Sequence, residues 1–210
     1  MVGDGMKALH KDFWMEIRKS KARFISIFLI VALGVAFFSG IQASSPDMRY
    51  SGDAYYEAAK LMDLKIQGTL GLTQRDVKAV SDIDGVELAE GGYSTDVMSG
   101  EDDARKVLHL ESISSNFNLL TADEGRIPKK SGEIFLDKPF AKNRGYKIGD
   151  TISVSEDGDS ELLKKTTYTV VGIGSSPLYI SFNRGNTTLG SGEISGFGYI
   201  LPEDFDQEAF

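Results

Sequence analysis

Phe24–Ile41, FISIFLIVALGVAFFSGI, is an 18-residue stretch without a charge, a Pro or an Asn. As an α-helix it spans about 27 Å, close to the roughly 30 Å hydrocarbon core of a bilayer. Twelve of its residues are Ile, Leu, Val or Phe. At about −0.3 to −0.6 kcal/mol each near the helix centre, they favour insertion by roughly 4–7 kcal/mol, and Ser26, Ser39 and the two glycines do not reverse that sign. A cleaved signal peptide has a shorter apolar region and a small-x-small cleavage site. A cut after Ala43 would leave Ile41 where a small residue belongs, and the absence of Cys excludes lipoprotein processing. A buried core helix would keep a polar face, which this segment lacks. The stretch therefore predicts an uncleaved membrane anchor.

Charge sets the direction of crossing. Residues 1–23 carry a net +3, with Arg18, Lys19, Lys21 and Arg23 next to the apolar span, whereas residues 42–210 carry −11. Basic flanks stay in the cytoplasm, so those four residues set the topology and the acidic bulk lies outside. An acidic outer domain would be repelled by phosphates, which excludes nucleic acid as a partner. With no Cys there is no disulfide framework, and the outer domain must be held by its own core. The expected organisation is a basic interfacial helix over 1–23, a membrane helix over 24–41, a linker and stalk helix over 42–62, and an extracytoplasmic core over 63–210.

In residues 6–23, Leu9, Phe13 and Ile17 recur every four residues with Trp14 beside them, while cations occupy other faces. That pattern suits a helix lying among the lipid headgroups, with Trp14 as its interfacial anchor. Inside the span, Ala32, Ala36 and Gly40 also recur every four residues, making a groove where another membrane helix can approach. Beyond the span, Pro46 and Gly52 predict a break, and Asp53 a new helix start. Thr73 and Asp76 form a capping-box variant opening a helix over TQRDVKAVSD, with Val77 and Val80 facing inward. Strands are predicted at Leu64–Ile66, Val86–Ala89, Tyr93–Met98, Lys106–Glu111, Glu133–Leu136, Thr151–Ser155 and Thr166–Ile173, with a short one at Tyr199–Leu201. Lys138–Arg144 predicts a short helix ended by Gly145, and the Gly-rich run Ser181–Gly198 a mobile loop. The fold class is thus α+β: an N-terminal transmembrane helix, then a mixed, largely antiparallel domain.

Candidate chemistry is sparse, and no catalytic, cofactor or metal residues are assigned. His10 and His109 lie on opposite sides of the membrane and cannot share a site, so each reads as structural. Asp157, Asp159 and Glu161 alternate, but Gly158 comes too early for a calcium loop, leaving a solvated hairpin tip. Glu101, Asp102 and Asp103 read as an exposed turn. Gly172-x-Gly174 follows a strand without the third Gly or helix start of a dinucleotide site. There is no Walker A motif, so any ATP dependence belongs to a partner.

The order of these signals resembles a known family. A flank MKAL…W…R…KAR leads into the apolar span, followed by DLKIQGTLGLT, DVKAVSDIDGV and EGRIP (Glu124–Pro128). GEIFLDKPFAKNRGYKIGDTISV (Gly132–Val154), YTVVGI and GYILPEDF come next. Together they resemble the first membrane helix and extracytoplasmic core of a bacterial ABC transporter permease of the FtsX/MacB-like type. The resemblance implies scaffold roles: a bend at Gly125 and Pro128, Ala141 packing the short helix on the sheet, and Gly149-Asp150 turning into a strand. It implies as partners a cytoplasmic ATP-binding subunit, the remaining permease helices or a second permease half, and membrane lipids. It further implies no catalysis by this chain, which would be a piece or truncated copy of a permease with more membrane helices. The competing readings are a single-pass sensor or binding ectodomain, and a secreted enzyme.

Overall fold

The computed structural model describes residues 3–68, 71–100, 105–156, 161–181 and 184–209, and in the first helix the side chains of residues 10–16, 18 and 19. It divides into two compact units at Tyr55/Tyr56.

The first unit is helical, with α1 spanning Gly3–Lys19 and α2 beginning at Lys21 and ending at Ala58. Helical hydrogen bonding passes through the intervening residue, from Ser20 N to Glu16 O (3.0 Å) and from Phe24 N to Ser20 O (3.1 Å). At 38 residues, α2 is about 57 Å long, and it is long and apolar enough to cross a membrane. None of its described residues is buried. Two of its hydroxyls turn back on the helix, Ser26 donating to Ala22 O (2.8 Å) and Ser44 to Gly40 O (2.7 Å). These two are thereby satisfied without water.

The break expected at Pro46 does not occur, because α2 runs through both Pro46 and Gly52. Pro removes one hydrogen bond at about 3 kcal/mol. Splitting the helix would instead leave two further ends, each with several unmet backbone groups.

The second unit begins with the last turn of α2. Thr73 caps α3 (Gln74–Ser81) in the reciprocal box with Asp76, and Val77 and Val80 are half-buried. The strands are β1 (Ser94–Ser99), β2 (Lys106–Ser112), β3 (Thr121–Gly125), β4 (Glu133–Asp137), β5 (Thr151–Ser155), β6 (Thr167–Ser175) and β7 (Ile194–Ile200), with α4 (Lys138–Arg144) after β4. Their order is β3-β6-β4-β7-β2-β1-β5, and β5 also pairs with β6. Six strands therefore close into a ring of pairings. One edge of β6 meets β5 at Thr167–Thr169 and β3 at Gly172–Ser175. Among the described residues only β2–β7 and β4–β6 are parallel, so the domain is mixed and largely antiparallel, as the sequence predicts.

Alternating residues of these strands, among them Val97, Leu108, Leu110, Ile134, Leu136, Ile152 and Val170, form the main core. Phe140 and Ala141 attach α4 to it. Gly196 makes that possible, since a Cβ there would sit 2.6 Å from the Phe140 ring. Gly145, left-handed at φ +78°, ends α4. A second cluster on the opposite sheet face contains Phe135, Phe197 and Tyr199.

Several expectations fail. Leu64–Ile66 and Val86–Ala89 are irregular, and Leu64, Ile66 and Leu88 are exposed. The end of the Gly-rich run is no loop: β7 begins at Ile194 and lies between β4 and β2. Its glycines alternate inward, where Gly198 leaves room for Leu110 and Ile134. The sequence pattern misses β3, because TADEG is exposed throughout and shows no apolar alternation.

Candidate functional site

Among the described residues, a dense set of interacting polar groups lies on the outer face of β1 and β2. The antiparallel register places Asp96 opposite His109, and Glu111, two residues on, points to the same side. Asp96 Oδ1 is 2.5 Å from His109 Nδ1, while His109 Nε2 lies 3.6 Å from Glu111 Oε1. The same Glu111 oxygen accepts from Lys65 Nζ (3.0 Å) and from the Tyr179 hydroxyl (2.9 Å).

Charges decide how these groups titrate. Burial pushes the His109 imidazole down, but the hydrogen bond to Asp96 and the charges of Asp96 and Glu111 outweigh it and raise its pKa to about 9. Burial likewise pushes Glu111 up, yet His109 and Lys65 pull it down to about 2. Asp96 is lowered against burial by hydrogen bonds to His109 and Thr187. Burial raises the Tyr179 phenol, and Glu111 raises it further, so it remains a donor. Both imidazole nitrogens face carboxylates and the ring stays charged. Such a His is poorly placed to act as a base, and the cluster is suited to holding segments together.

The segment held is the crossover that leaves β6. Tyr179 stacks on Phe197 with ring centroids 3.3 Å apart. Arg184 donates to Tyr179 O (2.6 Å), lies over the Phe197 ring and pairs with Asp137 at 3.2 Å. The front of the Gly-rich run is thus pinned to the sheet at Arg184. The signal available in sequence was Tyr179 after a turn and Arg184 beside Gly185, facing an alternating D-x-M on β1 and H-x-E on β2.

The motif residues serve as scaffold. Glu133 accepts from both Arg126 nitrogens and from Lys129 N and Lys130 N, and these bonds, Arg126 foremost, hold its carboxyl near pKa 2. Asp204, fully buried, accepts from Ser131 and Gly132 N and so fixes the other side of the same loop. Gly125 adopts φ +72°, and a Cβ there would collide with Val171 O. Ala141 packs α4 on the sheet, and Gly149 (φ +94°) and Asp150 turn the chain into β5. Gly172 and Gly174 lie in β6, where a Cβ would sit 2.6 and 2.8 Å from the Phe135 ring, so their spacing serves close packing.

Of the membrane-side residues, Arg18 and Lys19 end α1, Lys21 and Arg23 open α2, and all four are exposed. Trp14 and Phe13 are exposed on α1. The Leu9 and Ile17 side chains lie outside the described set. On α2, Ala32 is half-buried, and Ala36 and Gly40 are exposed. Asp157, Asp159 and the turn at Glu101–Asp103 fall outside the described residues.

A family description, "MacB-like periplasmic core domain", matches residues 24–206. No protein of curated function matches the chain. Among solved structures, the extracellular domain of the noncanonic ABC-type transporter YknZ from Gram-positive bacteria is similar at 13% identity, with a TM-score of 0.41. That similarity covers 64% of this chain and 64% of the YknZ domain, so the chain spans less than two thirds of that relative's length.

Proposed function

This chain belongs to the MacB-like periplasmic core domain family, the extracytoplasmic module of MacB/FtsX-type permeases, and from that premise we propose a mechanical role in an ABC transporter. In this reading the chain supplies a permease's first membrane helix and outer domain. A cytoplasmic ATP-binding subunit hydrolyses ATP, the membrane helices shift, and the outer domain moves with them to export or extract a peptide- or lipid-type substrate. The chain performs no catalysis itself. The N-terminus is cytoplasmic, and residues beyond the span lie outside the bacterial cell membrane.

The observation that carries the reading is that the match begins at residue 24, inside the apolar stretch, and continues to residue 206. The matched residues thus include both the apolar stretch and the strand-rich unit. The architecture agrees, since one continuous helix, Lys21–Ala58, contains the membrane-length segment and supplies the core unit's first residues. Arg18, Lys19, Lys21 and Arg23 hold the orientation, Trp14 anchors the interface, and Ala32, Ala36 and Gly40 receive the remaining permease helices or a second permease half.

The test is co-purification with the ATP-binding subunit. Replacing Ala36 with Leu fills the groove and is expected to reduce recovery of that subunit about five-fold or more, taking roughly 1 kcal/mol as the packing lost. Undiminished recovery would count against these residues as the contact.

A further inference from the structure

The segment that follows α2 and the arm that follows β6 converge on one oxygen atom. Leu119 N donates to Ala59 O (2.8 Å) and Asn118 N to Lys60 O (2.9 Å), which fixes the chain just past the helix. Further on, Leu64 and Ile66 project into solvent, and Lys65 between them reaches Glu111 Oε1 at 3.0 Å. From the other direction Tyr179, in the arm Ser176–Ile180, donates to that same oxygen at 2.9 Å. Glu111 is 7% exposed. A carboxylate oxygen has two lone pairs, so two donors on one oxygen occupy both and fix its position. Moving either donor frees the carboxylate to turn toward His109 Nε2, now 3.6 Å away.

We propose that Glu111 couples the segment leaving the stalk helix to the Ser176–Ile180 arm, so that withdrawing Lys65 releases Tyr179 from the Phe197 face beneath it. Release would uncover the aromatic surface of Phe135, Phe197 and Tyr199. The coupling arises wholly within the core unit, and it holds whether or not the chain works in a transporter.

Arg184 provides the readout. Its guanidinium is engaged by Tyr179 O and Asp137, so trypsin can take it only after the arm lifts. The full chain in detergent micelles is digested as wild type, Lys65→Met, Tyr179→Phe and the double variant. Each single variant is expected to be cut at Arg184 about two- to five-fold faster than wild type, and the double no faster than the quicker single. Cleavage after Arg126, whose pair with Glu133 lies outside the arm, is expected to keep its wild-type rate and so monitors general unfolding. The inference is overturned by wild-type cleavage in Lys65→Met, by a double variant equal to the product of the singles, or by equal acceleration at both sites.

Discussion

His109 and Glu111 show how a residue's surroundings set its role. In isolation His109 titrates near 6.5, and in the fold near 9. Its contribution to stability is therefore fully present below pH 6.5 and is lost as pH rises through 9. Glu111 runs the other way, from 4.5 down to about 2, so its contribution is present above pH 4.5 and is lost as pH falls through 2. Both act in full between those unfolded-state values. Urea unfolding of wild type is expected to cost roughly 1–3 kcal/mol less at pH 10 than at pH 6, and His109→Gln to lose most of that difference. An unchanged difference in the variant would place the titrating group elsewhere. None of this cluster was legible in the sequence beyond a lone His in a strand. Asp96 and Glu111 meet it through strand register, Tyr179 through a crossover and Lys65 from the irregular segment after α2, and no local pattern encodes these.

At the scale of elements, legibility follows how much of an element's cause is local. The Thr73 cap, the α4 helix closed by Gly145 and the strand Thr151–Ser155 depend on caps and alternation, and they stand where the sequence predicts them. β3 and β7 depend on their neighbours, because β3 is an exposed edge and β7 exchanges side chains for glycines to admit Phe140. The loop from Gly125 to Glu133 lies between these cases. Its bend is written in Gly125, but the buried acceptor that secures it, Asp204, comes from the far end of the chain. Asp204→Ala strands the Gly132 N–H and the Ser131 hydroxyl. It is expected to lower stability by about 2–4 kcal/mol in urea unfolding, with Asp204→Asn closer to wild type because one acceptor remains. Equal losses for the two variants would show that the loop needs the whole carboxylate, and that one remaining carbonyl acceptor does not suffice.

For the whole molecule, charge and hydropathy fix more than the fold does. In the proposed reading, net charges of +3 before the apolar span and −11 after it place the two ends on opposite sides of a bilayer by the positive-inside rule. The helix α2 runs unbroken from Lys21 to Ala58, whereas the sequence pattern divides it at Pro46, because the local cost of a proline says nothing of the cost of two new helix ends. The absence of Cys allows this arrangement to be tested with single labels at Lys11→Cys and Lys130→Cys, both at exposed positions. With a membrane-impermeant maleimide on intact cells, the account predicts labelling at 130 at once and at 11 only after the membrane is opened. Labelling at 11 in intact cells, or protection at 130 until lysis, would contradict it.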